Sequence, residues 1–201
     1  GEIDHIVDIQ MERLDALLHL RALHRTYGHI QEIIIQNFRA KPATQMADAA
    51  EPNLEDLLWT IAIARLLFGP SMNIQAPPNL RRNDYPQLIA AGLNDWGGIS
   101  PVTPDHVNPE APWPAIDALR GRTEAAGKQL VERLAVYPDF ALNSAQWQEP
   151  SMAPAVIRAI DADGLARTED WAPGLDLPIP TVTSPSEGAA PVIMDLIDRV
   201  S

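Results

Sequence analysis

The sequence predicts an α/β fold with a largely parallel sheet, and three observations support this class. Amphipathic helical stretches alternate along the chain with short apolar stretches of strand length. A polar loop follows each candidate strand, and the whole unit recurs about every forty residues, the rhythm of a βα architecture. Because ligands bind at the carboxyl ends of parallel strands, we expect the functional residues on these loops.

Composition limits the classes of function. The chain has 201 residues, a formal net charge of −12 and no cysteine. The negative charge argues against a nucleic-acid backbone or an anionic membrane as the main partner. Without cysteine, these residues form no disulfide, thiolate nucleophile or cysteine-held metal site. No apolar run approaches the roughly twenty residues of a membrane-spanning helix, and the acidic N-terminus is not a signal peptide. We therefore expect a cytoplasmic protein.

The first half of the chain predicts two helices and two strands. A leucine-rich stretch gives the first helix a broad apolar face, and Gly28 is suited to end it. The β-branched run of Ile33, Ile34 and Ile35 is typical of a strand buried on both faces. Asn53 is suited to cap the second helix. The predicted elements are a helix from residue 11 to 27, a strand over 33–35, a helix over 54–68 and a strand over 72–76.

The second half predicts further elements around a double glycine. Gly97 and Gly98 permit positive φ and predict a turn that a backbone or a ligand can approach closely. The proline-rich loop that follows fits a rigid exposed connection as well as a ligand loop. Glu132 and Arg133 point to opposite faces of their strand, so one of them faces an interior that needs a charge partner. The predicted elements are a small helix over 85–91, a strand over 93–96, a helix over about 113–126, a strand over 130–136 and a helix over 152–160.

The C-terminal part differs in composition from the rest. Residues 173–191 carry several prolines between small residues, which predicts a semi-rigid linker. Residues 192–201 are apolar at helical spacing. We therefore expect them to begin a helix that opens a following module.

Four motifs, taken in order, resemble the FO synthase family. They are HIQEIIIQNFRAKPATQM at 29–46, NIQAPPNL at 73–80, NDWGGISPVTPDHVNPEAPWP at 94–114 and LVERLAVYPDF at 130–140. Members of this family are radical S-adenosylmethionine (SAM) enzymes that form 7,8-didemethyl-8-hydroxy-5-deazariboflavin, the chromophore of coenzyme F420. The resemblance covers roughly residues 12–171.

The resemblance implies a fold and a set of site residues. Residues 1–172 would form the C-terminal portion of a radical SAM (β/α) TIM-like barrel that is incomplete in this chain. The residues implied to line the SAM and substrate cavity are Gln36, Asn37, Arg39, Gln75, Asn79, Asn94, Asp95 and Gly98. Those implied for substrate contact or proton transfer are Asp105, His106 and Glu132, of which His106 is the natural titrating group near neutral pH.

The chain departs from the family at its defining element. It has no cysteine, so it lacks the three-cysteine motif that holds a [4Fe–4S] cluster in the family. We therefore expect a fragment, with SAM and the cluster used by the parent enzyme on a small-molecule substrate derived from tyrosine and ribityl-diaminouracil. The expected partners are a missing N-terminal half of the barrel and a second radical SAM module.

Two other functions stay open. A cluster-free remnant would act as a binding or interaction module with no catalysis of its own. An independent hydrolase built on Asp105, His106 and Glu132 has weaker support, because the chain contains no Gly-x-Ser-x-Gly elbow and no metal-spaced pair of histidines.

Overall fold

The structure is a computed structural model that describes residues 2–100, 102–167 and 192–197. The helices are α1 (Glu2–Tyr27), α2 (Leu54–Phe68), α3 (Tyr85–Ala90), α4 (Ile116–Ala125), α5 (Pro138–Leu142), α6 (Ser144–Trp147) and α7 (Ala153–Ala159). The strands are β1 (Glu32–Ile34), β2 (Asn73–Gln75), β3 (Asp95–Ile99), β4 (Gln129–Arg133) and β5 (Val192–Ile197). Within these ranges no helix is long and apolar enough to cross a membrane. The linker predicted over 173–191 lies outside the described residues.

The strands form one five-stranded sheet in the order β1-β2-β3-β5-β4. β1, β2 and β3 are parallel neighbours, with Ile33 opposite Ile74 and Gln75 opposite Asp95. This confirms the predicted α/β class with a parallel sheet. β1 and β4 are the two edges, so the described residues do not close into a barrel by themselves.

Residues 192–197 form a strand, and the helix predicted from residue 192 is wrong there. β5 runs antiparallel between β3 and β4, so that Ile193 lies opposite Gly98 on one side and Arg133 on the other. Apolar residues at helical spacing also suit a central strand, and periodicity cannot separate the two in so short a run. Pairing with two neighbouring strands decides the outcome, because it gives the backbone a hydrogen-bond partner on both sides.

One face of the sheet packs against helices and forms the core. Its members include Ile33, Ile74, Trp96 and Leu130 from the strands and Leu57, Ile61 and Leu119 from α2 and α4. Burying each of these side chains contributes about 1.5–3 kcal/mol. Because side chains alternate along a strand, the residues next to these core positions point to the opposite face of the sheet.

α2 follows its sequence signals closely. The Asn53 side chain accepts the N–H of Asp56 at 2.9 Å, and the Asp56 carboxylate accepts the N–H of Asn53 at 3.2 Å, a capping box. Gly69 ends the helix with a positive φ of 80°. Arg65, on the last turn, donates to the carbonyl oxygen of Gly92 through Nε at 2.9 Å and Nη2 at 2.7 Å. The end of α2 is thereby tied to the segment that leads into β3.

Some predicted boundaries are wrong. α1 begins at Glu2 and not near Met11, although its predicted end is confirmed. Gly97 and Gly98 lie inside β3 instead of forming a turn after it, because a bulge between Asp95 and Gly97 takes up the positive φ. α5 and α6 follow β4 where no helix was predicted, since each is too short to show an apolar period.

Candidate functional site

The face of the sheet that turns away from the helices carries four connected polar side chains, which we call the Asp95 cluster. Its members are Glu32 of β1, Asp95 of β3, Arg133 of β4 and Tyr137, just before α5. Strand alternation puts the first three on this face, opposite the core residues. Glu32 and Tyr137 are 105 residues apart in the chain, so only the folded sheet brings the cluster together.

Asp95 lies at the centre of the cluster and is fully buried. Its Oδ2 accepts hydrogen bonds from Arg133 Nε at 2.9 Å and Nη2 at 2.7 Å. The same oxygen accepts the Tyr137 hydroxyl at 2.6 Å, and Oδ1 accepts the Gly97 N–H at 2.5 Å. Burial raises the pKa of Asp95, while the Arg133 guanidinium, the Tyr137 hydroxyl and the Gly97 N–H oppose this shift. Arg133 is also only 1% exposed, so two buried charges satisfy each other.

Tyr137 connects the buried pair to β1. Its hydroxyl lies 2.6 Å from Glu32 Oε2 as well as 2.6 Å from Asp95 Oδ2. The Arg133 guanidinium stacks over its ring at 3.5 Å from the centroid, a cation–π contact. Burial and the two nearby carboxylates raise the pKa of the Tyr137 hydroxyl far above its ordinary value, so it keeps its proton. The Glu32 side chain is 33% exposed, which makes it the member of the cluster that a ligand can reach.

Gly97 and Gln75 fix the backbone beside Asp95. Gly97 has φ 73°, and a Cβ placed on it would lie 2.2 Å from Gln75 Nε2. The position therefore excludes any side chain for two reasons, the backbone conformation and the Gln75 amide packed above it. Of the two glycines in the predicted turn, the structure shows this close approach at Gly97. A cofactor contact at Gly98, which is exposed on β3, stays a prediction.

Asp105 is held by the loops that follow β2 and β3. Its Oδ2 accepts the Asn79 amide at 2.8 Å, and its Oδ1 accepts the N–H groups of Val107 at 2.9 Å and Asn108 at 3.0 Å. Partial burial raises the pKa of Asp105, but hydrogen bonds from Asn108, Asn79 and Val107 outweigh it and hold the pKa below its usual range. These contacts favour a structural role in joining the two loops over acid–base chemistry.

Asn79 also offers an unused acceptor. Its amide nitrogen donates to Asp105 and to the carbonyl oxygen of Ala111 at 2.9 Å. The residue is 4% exposed, and its Oδ1 is buried with no hydrogen-bond partner. A buried acceptor without a donor is costly, so this atom is suited to accept a hydrogen bond from a ligand.

The remaining predicted residues are spread around the sheet. Asn94 accepts the Ile74 N–H at 2.7 Å and Arg65 Nη2 at 2.8 Å, a contact that aligns β2 with β3. Arg39 pairs with Glu51 at 2.6 Å on the surface. Asn37 and Gln36 follow β1, where Asn37 accepts Arg81 Nε at 2.6 Å once its amide is oriented to satisfy both groups. His106 is exposed in the loop after β3.

The structure places Arg133, and not Glu132, in the cluster. The prediction that one of the two needs a charge partner is confirmed, and the partner is Asp95. Glu132 points to the face of β4 opposite to Arg133, and its action together with Asp105 or His106 stays a prediction. Of the four members of the cluster, the sequence predicted Asp95 as a site residue but not Glu32, Arg133 or Tyr137. Strand alternation was the signal that could have found Glu32 and Arg133.

A separate cavity of about 320 Å³ lies beside β1. Its walls are mostly apolar and come from α1, β1 and α2 together with the segment after β1. They include Arg13, Leu17, Leu20, Ile34, Gln36, Asn37, Phe38 and Thr60. It shares no lining residue with the Asp95 cluster, although two of the predicted cavity residues, Gln36 and Asn37, do line it.

The fold and these sites define the class of the protein: an α/β protein whose sheet, parallel over β1, β2 and β3, carries a cluster of polar side chains on one face. Among the described residues no group of three or more histidine, aspartate or glutamate side chains is placed to hold a metal ion. The sequence contains no cysteine, so this chain does not supply thiolate ligands to an iron–sulfur cluster.

Comparison with known proteins places the chain in the FO synthase family. It is 51% identical over 158 residues, 78% of the chain, to FO synthase of Mycobacterium tuberculosis. It is 50% identical over 159 residues to FO synthase of Streptomyces coelicolor, and 47% identical over 156 residues to the 7,8-didemethyl-8-hydroxy-5-deazariboflavin synthase of Methanopyrus kandleri. This confirms the resemblance seen in the four motifs.

The chain spans a minor part of these relatives. It covers 18% of the Mycobacterium and Streptomyces proteins and 46% of the Methanopyrus protein. No protein-family model matches the chain. No solved structure matches it either.

Proposed function

We propose that the chain is part of a radical SAM FO synthase and contributes one wall of the cavity in which the deazaflavin chromophore of coenzyme F420 is formed. The observation that carries this proposal is the identity of 47–51% over 78% of the chain to FO synthase and to 7,8-didemethyl-8-hydroxy-5-deazariboflavin synthase. Asn79, which has an unpartnered Oδ1 and lies in the loop after β2, supports it, because parallel α/β folds bind their ligands on the loops at the carboxyl ends of the strands.

The chain fits the two cofactors of the proposed enzyme unequally. It has no cysteine for a [4Fe–4S] cluster, so that group would be held by residues outside this chain. It does offer amide groups for a polar ligand such as SAM, and the unpartnered Oδ1 of Asn79 is the most specific of them. Gln36 and Gln75 are further candidates on the same strand ends, and their contacts with SAM or substrate stay predictions.

The chain's own chemistry would be to bind, orient and exchange protons. Arg133 and Asp95 neutralise each other and hold Tyr137 in one position, which keeps the wall of the cavity rigid. Glu32 is the member open to solvent and is suited to contact a substrate. We expect bound SAM to supply the radical that starts ring closure, and these residues to hold the substrate in place.

A second candidate is a cluster-free binding module that has no catalysis of its own. The observation that favours it is the absence of cysteine. The hydrolase alternative has less support, because loop donors engage the oxygens of Asp105.

A chimera tests the proposal directly. The 156 matching residues of the Methanopyrus synthase are replaced by those of this chain, so that the host supplies the rest of the enzyme. We expect the chimera, loaded with its cluster, to form the deazaflavin, which is detected by its fluorescence. A folded and cluster-loaded chimera that makes no product would overturn the proposal. In that case deazaflavin binding by the chain alone would support the binding module.

A further inference from the structure

The first strand of the sheet has a free edge. β1 lies at one end of the sheet, and among the described residues its neighbouring strand is β2 alone. On the side of β2, the Ile35 N–H donates to the Gln75 carbonyl oxygen at 2.8 Å. Backbone groups of successive residues in a strand point to alternate sides, so the N–H and the carbonyl group of Ile34 point away from β2. A free edge of this kind is a template for pairing with another strand.

The cavity of about 320 Å³ lies beside this edge, and its walls include both Ile33 and Ile34. Ile33 is buried in the core, whereas Ile34, the next residue, points to the opposite face and is 52% exposed. A cavity that contacts both side chains lies beside the strand and not on one face of it. The next strand of a sheet would run in this place, at about 4.8 Å from β1.

The position of α1 indicates how the sheet would continue. Leu17 of α1 and Leu57 of α2 belong to the same core cluster as Ile33, so both helices cover the same face of the sheet. From β1 through α2 to β2 the chain moves across the sheet in one direction. Crossovers between parallel strands are almost always right-handed. A parallel strand that precedes α1 would therefore lie on the free side of β1.

The walls of the cavity suit an apolar side chain. Leu17 and Leu20 of α1 line it, and Leu20 is 38% exposed, so its apolar surface is incompletely covered. Arg13 also lines the cavity, but its Nη1 already donates to Thr60 Oγ1 and to the Asp56 carbonyl oxygen, both at 3.2 Å. Because this guanidinium is engaged within the chain, the cavity favours an apolar occupant over a charged ligand.

We propose that β1 and this cavity form a docking site for a parallel strand of the parent enzyme, and that a large apolar side chain of that strand fills the cavity. The relatives have the length to supply it, because the chain covers 46% of the Methanopyrus protein and more than half of that protein lies outside the match. The docked strand forms hydrogen bonds with the backbone of Ile34 and covers Leu20. The inference rests on the proposed function, since the strand belongs to the parent enzyme, and it names the surface through which the chain joins the rest.

The first test measures strand pairing at single backbone amides, in the chain alone and in the chimera with the Methanopyrus synthase. We expect the Ile34 amide to exchange its hydrogen at least about tenfold more slowly in the chimera, because only there does it gain a hydrogen-bond acceptor. The Ile35 amide is the internal control, since its bond to Gln75 protects it in both proteins. Equally rapid exchange of the Ile34 amide in a folded chimera and in the chain would overturn the proposal.

The second test places a charge in the cavity. We expect Leu20→Asp to lower the urea midpoint of the chimera more than that of the chain, because only the chimera buries the new carboxylate against an apolar side chain. Leu18→Asp is the matched control: Leu18 lies on the same helix, is 41% exposed and is not among the residues that line the cavity. It should shift the midpoints of both proteins alike. Equal effects of the two substitutions in the chimera would refute the docking site.

The other outcomes separate this inference from the proposed function. A folded, cluster-loaded chimera that passes both tests but makes no deazaflavin refutes the proposed function and supports the docking site. A chimera that does not fold, while the chain alone does, counts against the docking site, because the strand of the host then does not fit beside β1. A chain that is a dimer by itself and becomes a monomer with Leu20→Asp would assign the site to a second copy and overturn the proposal.

Discussion

Arg133→Met is the substitution that most directly tests the buried part of the site. It removes the two hydrogen bonds to Asp95 and the one from Nη1 to the Leu134 carbonyl oxygen at 2.8 Å. Asp95 is then left as a fully buried carboxylate with only Tyr137 and Gly97 as donors. Because a buried charge without its partner is strongly disfavoured, we expect the free energy of unfolding to fall by about 3–5 kcal/mol.

The double variant Asp95→Leu/Arg133→Met shows how much of the loss in stability comes from leaving Asp95 without its partner. Replacing both members removes the unpaired charge, so we expect it to recover about half of the loss; the Gly97 N–H remains without an acceptor, at a cost of about 1–3 kcal/mol. Urea unfolding, followed by tryptophan fluorescence, gives the free energy of unfolding of the wild type, the single variant and the double variant. Arg39→Met, which breaks an exposed pair with Glu51, is the control and should leave the midpoint unchanged.

The result that would refute this reasoning is a small effect of Arg133→Met. If the free energy of unfolding falls by less than about 1 kcal/mol, the pair contributes no more than an ion pair on the surface does. It would mean that Asp95 and Arg133 are solvated or separated in solution, and the rigid wall proposed for the cavity would then be absent.

Three further predictions concern single positions. Gly97→Ala should lower the free energy of unfolding by more than Gly28→Ala does. Both glycines have a positive φ, which costs an alanine about 1–2 kcal/mol, but only at Gly97 would the new Cβ also clash, with Gln75. Because the pKa of Asp105 is lowered on folding, its contribution is present above the unfolded pKa of about 4 and is lost as pH falls. The urea midpoints of wild type and Asp105→Asn should therefore converge toward acid pH, and a constant gap would contradict this. Burial raises the pKa of Tyr85 to about 12. The contribution of Tyr85 to the free energy of unfolding is therefore present below about pH 10 and is lost as pH rises toward 12. Tyr85→Phe should remove this part of the fall in stability at alkaline pH.

Several features could be predicted from the sequence because their causes are local. The ends of α2 depend on Asn53 and Gly69, which act on backbone groups within a few residues of themselves. β1 depends on the β-branched run that begins at Ile33, but its predicted burial on both faces is wrong, because Ile33 is buried and Ile34 is 52% exposed. The need of Glu132 or Arg133 for a charge partner followed from strand alternation alone.

Other features depended on contacts between distant segments. β5 is a strand because β3 and β4 pair with it on both sides, and its own apolar pattern fits a helix as well. Asp105 was predicted for substrate contact or proton transfer, and that role stays a prediction; the loop donors that its oxygens accept come from the segments after β2 and β3, which only the fold brings together.

The sequence by itself determined the α/β class, the family and the strand ends at which polar residues gather. The tertiary structure alone decided which of those residues meet. Arg133 and Tyr137 reach Asp95 and Glu32 across the sheet over 38 to 105 residues of chain. Such partners cannot be read from spacing, because the fold, and not the local sequence, sets the distance between them. Their burial then fixes their arrangement, since hydrogen bonds and ion pairs are stronger where water is excluded and an unpaired buried charge is costly.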